Sequence, residues 1–397
     1  MTDSQVLITG GGIGGVGAAL MLGRRGISVT LLEREPEFAE GGYGLQLGPN
    51  ITRMLEQEDV FDAVRDLAVF PKRLVFRNAR TGKRLTHLDC DDMEKRYGGK
   101  YVVIHRNDLL QALANAARAC PNVQLLTSKK VVDFADKGDA VSVTTEDGFV
   151  YQGQVLLAAD GVHSVVRRRF VGDDPQPTGF TAYRGTIPIE QVDPTVSLDE
   201  VVCWMGPGLH LVQYPLRNRT EYNQVAVFRS PGYVRGDVNW GGPEEMLDAF
   251  APMYPFVANA PKALGMARGW PMADRRPLSS WTRGRVALLG DAAHATLQYL
   301  AQGAGQSLLD GASLTEHLVP LGNGRWSTED ISKAWAGYEA DRVELGGRVQ
   351  TTSRSWGEIW HQDTTGGVLL RDHTFANHNP YDYRLIDWLY GPVITEQ

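Results

Sequence analysis

The chain has 397 residues, 43% of them hydrophobic and 22% charged, with a formal net charge of −7. That balance is ordinary for a globular protein long enough for two or three domains, and without a basic tail or long charge run it argues against nucleic acid as a partner. No apolar run reaches the length of a membrane span, and no signal-peptide pattern precedes the first strand. Cys90, Cys120 and Cys203 are scattered, so neither a disulfide framework nor a metal site is expected, and a reducing cytoplasm is.

The first element is an apolar run, Val6-Leu7-Ile8, read as a strand. It runs into Gly10-Gly11-Gly12-Ile13-Gly14-Gly15, an Ala/Leu-rich helical pattern to Arg25-Gly26, and a second apolar run from Val29 to Leu32 that ends at Glu33. Strand, glycine turn, helix, strand, acid is the order of a dinucleotide-binding unit. Gly10 allows a tight turn, Gly12 lets backbone approach a pyrophosphate, and Gly15 lets helix and strand pack closely. Glu33 suits a ribose 2′-hydroxyl and would repel a 2′-phosphate. The ligand is an adenine dinucleotide, FAD or NAD, and this motif alone does not choose between them.

Residues 108–119 show helical apolar spacing, with Asn107 or Asp108 as N-cap. Val123 to Leu126, Val131 to Phe134, Val141 to Thr145 and Val155 to Ala159 read as strands. Asp160-Gly161 follows the last of these. Such an acid and glycine at a strand's carboxyl end either face a ligand in the crevice of an open α/β sheet or cap the helix containing Val165. Arg167-Arg168-Arg169 reads as a solvated helix face. From about 175 to 280 the alternating patterns Leu209 to Tyr214 and Asn223 to Phe228 predict an antiparallel sheet, a candidate substrate domain. There His210, Val212 and Tyr214 share one face and Gln213 the other. On spacing alone His210 and Tyr214 read as core residues. Val286 to Gly290 reads as a buried strand and turn leading into Asp291-Ala292-Ala293-His294. Asp291 is placed to accept a ribose hydroxyl. Gly303 to Gly305 start a helix whose backbone N–H groups suit negative charge. A further helix covers about 327–362.

These three motifs, in this order, resemble the FAD-dependent aromatic hydroxylases of the p-hydroxybenzoate and salicylate hydroxylase type, over essentially the whole chain. The resemblance implies an α/β fold. A Rossmann-like FAD-binding domain of glutathione-reductase type would comprise residues 1–75, 100–174 and 281–325. An inserted, mostly antiparallel β substrate domain would comprise 76–99 and 175–280. A C-terminal helical region would comprise 326–397. It implies that Gly10, Gly12, Gly15, Glu33 and Arg34 hold the ADP half of FAD, and that Arg106, Asp160, Gly161, Asp291, Gly303 and Ala304 serve the rest. Gln46 would fall near flavin and substrate. The strings Ala182-Tyr183-Arg184-Gly185, Gln213-Tyr214-Pro215-Leu216-Arg217, Leu297-Gln298-Tyr299-Leu300-Ala301 and Arg354 to His361 look like the single-component 3-hydroxybenzoate 6-hydroxylase group. Gln298 stands where many salicylate-type relatives have proline, and Ala295 where the family usually has proline.

The resemblance further implies that NADH, rather than NADPH, reduces FAD. Oxygen would give a flavin C4a-hydroperoxide that hydroxylates an aromatic acid. His210 would act as general base on the phenol, with a pKa near this task. Gln298 would orient the phenol or the incoming oxygen. Tyr214 would bind the carboxylate or pack on the ring. A homodimer is implied as well. Trp356, Trp360, Trp388 and Tyr390 would cover its interface or, the blander reading, fill the chain's own core.

Overall fold

Strand Ser4–Thr9 is buried along its whole length, as expected of a near-continuous apolar run at the centre of a parallel sheet covered on both faces. In the computed structural model, which describes residues 4–39, 41, 43–264 and 268–393, this strand lies between Val29–Leu32 and Val150–Ala158. Val123–Leu126 extends the sheet on one side and Val286–Leu288 on the other, all five strands being parallel. The hairpin Val131–Asp136 and Val141–Thr145 continues antiparallel from Val150–Ala158. Helices Ile13–Arg24, Arg106–Arg118 and Gly303–Leu318 pack on this sheet and on one another around the largest apolar core.

A second sheet has seven strands, ordered Trp270–Asp274, Gln176–Pro188, Glu221–Arg229, Leu209–Leu216, Glu200–Gly206, Arg73–Asn78 and Arg84–Asp89. Every pair is antiparallel except Glu200–Gly206 with Arg73–Asn78. One face packs on the C-terminal segment through Tyr97, Tyr101, Tyr299 and Trp360. The other is closed by helix Pro243–Phe250 over Trp204 and Phe228. A two-stranded ribbon, Gly44–Leu47 with Val102–His105, bridges the two sheets and carries Gln46 and Arg106 to their junction.

Register explains why three distant motifs meet. Thr9 pairs with Ala158 and Ala158 with Leu288. Because these strands are parallel and end level, the turns that follow them open at one edge of the sheet. That edge is the crevice in which open α/β sheets bind ligands.

Two sequence expectations need correction. Neither Asn107 nor Asp108 caps the helix Arg106–Arg118; His105 is its N-cap, with no side-chain cap bond. The Asp108 carboxylate is taken by Arg217, through bonds of 3.0 Å from Nε and Nη2. Nor is the arginine triplet wholly solvated, since Arg167 is fully buried. Its guanidinium donates to Asp173 and to the carbonyls of Ala292 and Ala293. A buried charge is tolerated only when paired and fully bonded, and here it is both. In the C-terminal region Trp360 and Tyr390 are buried in the chain's own core, while Trp356 and Trp388 are half-buried. No described helix is long and apolar enough to cross a membrane, and the described residues hold no cluster of three or more metal-type ligands.

Candidate active site

A cleft of about 730 Å³ runs along the junction of the two sheets, from Glu33 and Arg34 at one end to His210 and Tyr214 at the other. Every residue that the resemblance assigned to cofactor binding or catalysis lines it except Gly15. Gly15 acts from behind: a Cβ there would overlap the Gly10 carbonyl oxygen. Gly10 itself takes φ +102°, and a side chain would collide with the Ala159 carbonyl. The glycine turn is therefore held against the Asp160 turn by steric necessity. Gly15→Ala is expected to push helix Ile13–Arg24 off the strand and abolish retention of flavin. The ratio of flavin to protein absorbance after gel filtration measures this, and a yellow variant with the wild-type ratio would refute it.

The cofactor arm fits an adenine dinucleotide. Helices Ile13–Arg24 and Gly303–Leu318 both start at the cleft without a side-chain cap, leaving N–H groups and the positive end of the helix dipole for anionic groups. Glu33 is fixed by the N–H groups of Gly11 and Glu35. Asp291 is exposed at the start of helix Asp291–His294. Asp160 lies at the cleft and bonds the start of helix Val165–Val171, whose N-cap is Ser164. Its Oδ2 accepts the Val165 N–H at 2.8 Å, while its buried Oδ1, beside the cleft, has no partner among the described residues. Burial raises its pKa against the opposing bonds from Ser164 and the helix N–H groups. Arg106 is half-buried near Asp291 and faces the Tyr43 ring at 5.9 Å; desolvation lowers its pKa to about 10 despite the Asp291 charge.

Behind the Gly290-Asp291 turn lies a charged cluster without access to solvent. Asp310 is fully buried. It accepts the Gly290 N–H at 2.8 Å, His294 Nε2 at 2.5 Å and Arg342 Nε at 2.9 Å. Burial raises its pKa, but His294, Arg342 and these bonds outweigh that and bring it to about 2.

At the other end the polar groups form a chain. Arg184, with its guanidinium 5.0 Å from the centre of the Tyr43 ring, donates through Nη2 to Gln298 Oε1 at 2.5 Å. Gln298 Nε2 lies 3.2 Å from His210 Nε2, and His210 Nδ1 lies 2.7 Å from His361 Nε2. Gln298 sits on a short 3₁₀ turn closed by Ala301, a non-glycine residue at φ +54°. Such a conformation persists only where its surroundings impose it. His210 and Tyr214 project into the cleft from one face of Leu209–Leu216, as the alternation predicts. Gln213 on the opposite face accepts from Trp204 and donates to Gln224. The Tyr214 ring lies directly over Gly44. Tyr101 donates to Gln46 Oε1 at 2.8 Å.

One expectation is revised here. His210 is fully buried, and burial, helped by Arg184, lowers its pKa to about 3 rather than leaving it near neutrality. It is a neutral imidazole that cannot readily keep a proton. Three site residues had no role in the sequence reading: Arg184, His361 and Asp310. Arg184 and His361 stood inside strings that carry the resemblance. Nothing in the sequence pairs His361 with His210, which is 151 positions away.

Residues 3–349 match the family model described as FAD binding domain. The chain is 36% identical to the 3-hydroxybenzoate 6-hydroxylase of Polaromonas naphthalenivorans (strain CJ2), over 98% of this chain and 96% of that protein. It is 35% identical to the enzyme of the same name from Klebsiella oxytoca, over 98% and 96%. Among solved structures, a salicylate hydroxylase substrate complex superposes with a TM-score of 0.79 at 25% identity, covering 98% of this chain and 95% of that one.

Proposed function

Because this chain belongs to the FAD binding domain family and is an FAD-dependent aromatic-ring monooxygenase, we propose that it hydroxylates 3-hydroxybenzoate para to the phenol, giving 2,5-dihydroxybenzoate, with NADH as reductant. The observation that carries this reading is the meeting of Gln298 and His210 at the inner end of the cleft. Bound FAD, reduced by the nicotinamide, supplies electrons and activated oxygen, and the protein supplies position and proton handling.

A phenol oxygen placed between Gln298 and His210 replaces their mutual contact. His210 Nε2 takes its proton, and the phenolate so formed is electron-rich ortho and para to oxygen. Gln298 is held by Arg184, so its amide N–H stays aimed at that oxygen. Arg184 also puts a positive charge at this end, where a substrate carboxylate needs one, and Tyr214 packs on the ring. Apolar side chains such as Val201, Val212 and Val225 line the rest of this end and keep water from the activated oxygen. Preference for NADH rests on the resemblance and on the absence of a second glycine fingerprint. Glu33 serves the FAD end and leaves the nicotinamide open.

The test is the visible spectrum of purified protein with a panel of hydroxybenzoates, aminohydroxybenzoates and hydroxypyridine carboxylates, with NADH or NADPH. The expected result is a bound flavin, NADH oxidation stimulated by 3-hydroxybenzoate, and 2,5-dihydroxybenzoate formed in step with it. Catechol from salicylate, or turnover of only an aminohydroxybenzoate or hydroxypyridine, would replace the substrate assignment. A marked NADPH preference would replace the reductant.

A further inference from the structure

Hydrogen-bond chemistry fixes the polarity of the chain that ends at His361. A guanidinium has only donors, so the Gln298 atom that meets Arg184 is the amide oxygen. The Gln298 NH₂ group then faces His210 Nε2, which must accept. A neutral imidazole that accepts at Nε2 carries its proton on Nδ1. That proton points at His361 Nε2, 2.7 Å away, which in turn must accept. His361 is buried, stacked on Phe180 with ring centres 4.5 Å apart, and it terminates the long helix Thr328–Trp360.

We propose that His361 is a positioning residue for the hydroxylation: it holds His210 in the tautomer whose Nε2 lone pair faces the substrate, and it takes up the His210 Nδ1 proton as the phenol is deprotonated. This rests on the phenolic substrate proposed above. In the transfer, the phenol O–H bond breaks and an N–H bond forms at His210 Nε2. The His210 Nδ1–H bond breaks and an N–H bond forms at His361 Nε2. His210 stays neutral throughout, and the positive charge arises on His361.

The charges that face the two imidazoles differ. His210 is faced by the Arg184 cation, and no carboxylate among the described residues acts on it. His361 caps the C-terminus of helix Thr328–Trp360, where Arg371 Nη1 donates to the Trp360 carbonyl at 2.8 Å. The cations that face it are Arg229, from strand Glu221–Arg229, and Arg371, from helix Thr365–Ala376. Each is neutralised at 2.8 Å, Arg229 by Asp363 and Arg371 by Asp372. Burial lowers the pKa of both imidazoles, so the proton returns from His361 Nε2 to His210 Nδ1 as His210 Nε2 gives its own back to the product's phenolate oxygen.

Two variants separate this role from packing. His361→Phe keeps a ring on Phe180 but has no acceptor. His361→Gln can accept the Nδ1 proton's hydrogen bond but is not basic. Oxidised protein carrying FAD is titrated with 3-hydroxybenzoate across neutral and mildly alkaline pH, and the near-ultraviolet phenolate band of the bound substrate is followed. Both variants are expected to bind substrate with affinity close to wild type, and to form bound phenolate at a midpoint about one pH unit or more higher, equivalent to about a tenfold loss at fixed pH. Product per NADH should fall in both and further in His361→Phe. A wild-type midpoint in either variant overturns the inference. If His361→Phe does not fold, His361→Gln decides alone. Wild-type protein that neither binds nor hydroxylates 3-hydroxybenzoate overturns the substrate assignment instead, a failure visible before any variant is made.

Discussion

Replacing His210 with asparagine is expected to lower hydroxylation by about 10²- to 10⁴-fold, while NADH oxidation in the presence of substrate continues. That span corresponds to about 3–5 kcal/mol of transition-state stabilisation. The size follows from what His210 does in the proposed reaction. The ring carbon attacked must be electron-rich, and a phenol of pKa about 10 is neutral near pH 7 unless a base takes its proton. Among the described residues no other imidazole lines that end of the cleft, and His361 meets His210 on its Nδ1 side. Asparagine retains polarity but is not basic. Because reduction of the cofactor does not require His210, activated oxygen that finds no phenolate is released as peroxide. The measurement is product and peroxide per NADH consumed, by chromatography and a peroxide assay. Wild-type product yield at the wild-type rate would falsify the base assignment.

Removing the Asp310 carboxylate is expected to damage the protein as a whole. Asp310→Ala leaves the Arg342 guanidinium buried without its counter-charge and frees the Gly290 N–H and His294. Breaking a buried ion pair by deleting one partner costs about 3–5 kcal/mol, a large share of a typical folding stability of about 5–15 kcal/mol. Flavin retention should fall as well, because the carboxylate anchors the turn that presents Asp291. Urea unfolding followed by tryptophan fluorescence reads the first effect, and flavin released on dilution reads the second. An unfolding midpoint equal to wild type would show that Asp310 is a bystander. The pH dependence has a defined sign. The folded pKa of about 2 lies below the unfolded value of about 3.9. The stabilisation is therefore present above about pH 4 and is lost as pH falls towards 2.

The glycine turn, the acid at position 33 and the helices were legible because each rests on local spacing. Gly10, Gly12 and Glu33 lie within one βαβ unit, where chain order fixes geometry. The same holds for the shared face of His210 and Tyr214, since alternation along a strand is local. Asp108 shows the limit of such reading. Its position suits an N-cap, but an arginine 109 residues further on competes for the carboxylate. Arg167 shows it again. A triplet of arginines reads as solvated surface, and only the packing of the Ala292 and Ala293 carbonyls onto that helix turns one of them inward.

The sequence by itself determined the cofactor-binding unit, the alternation of the second sheet and the types of residue that the chemistry needs, because those follow from periodicities and turn chemistry within a few tens of residues. The tertiary structure decided the rest. Level parallel strands brought Gly10, Asp160 and Asp291 to one edge. The strained turn at Ala301 aimed Gln298 at His210. Burial moved the His210 pKa far from neutrality, and packing set His361 Nε2 2.7 Å from His210 Nδ1. Desolvation and long-range pairing are properties of the packed volume, and no local window of residues contains them.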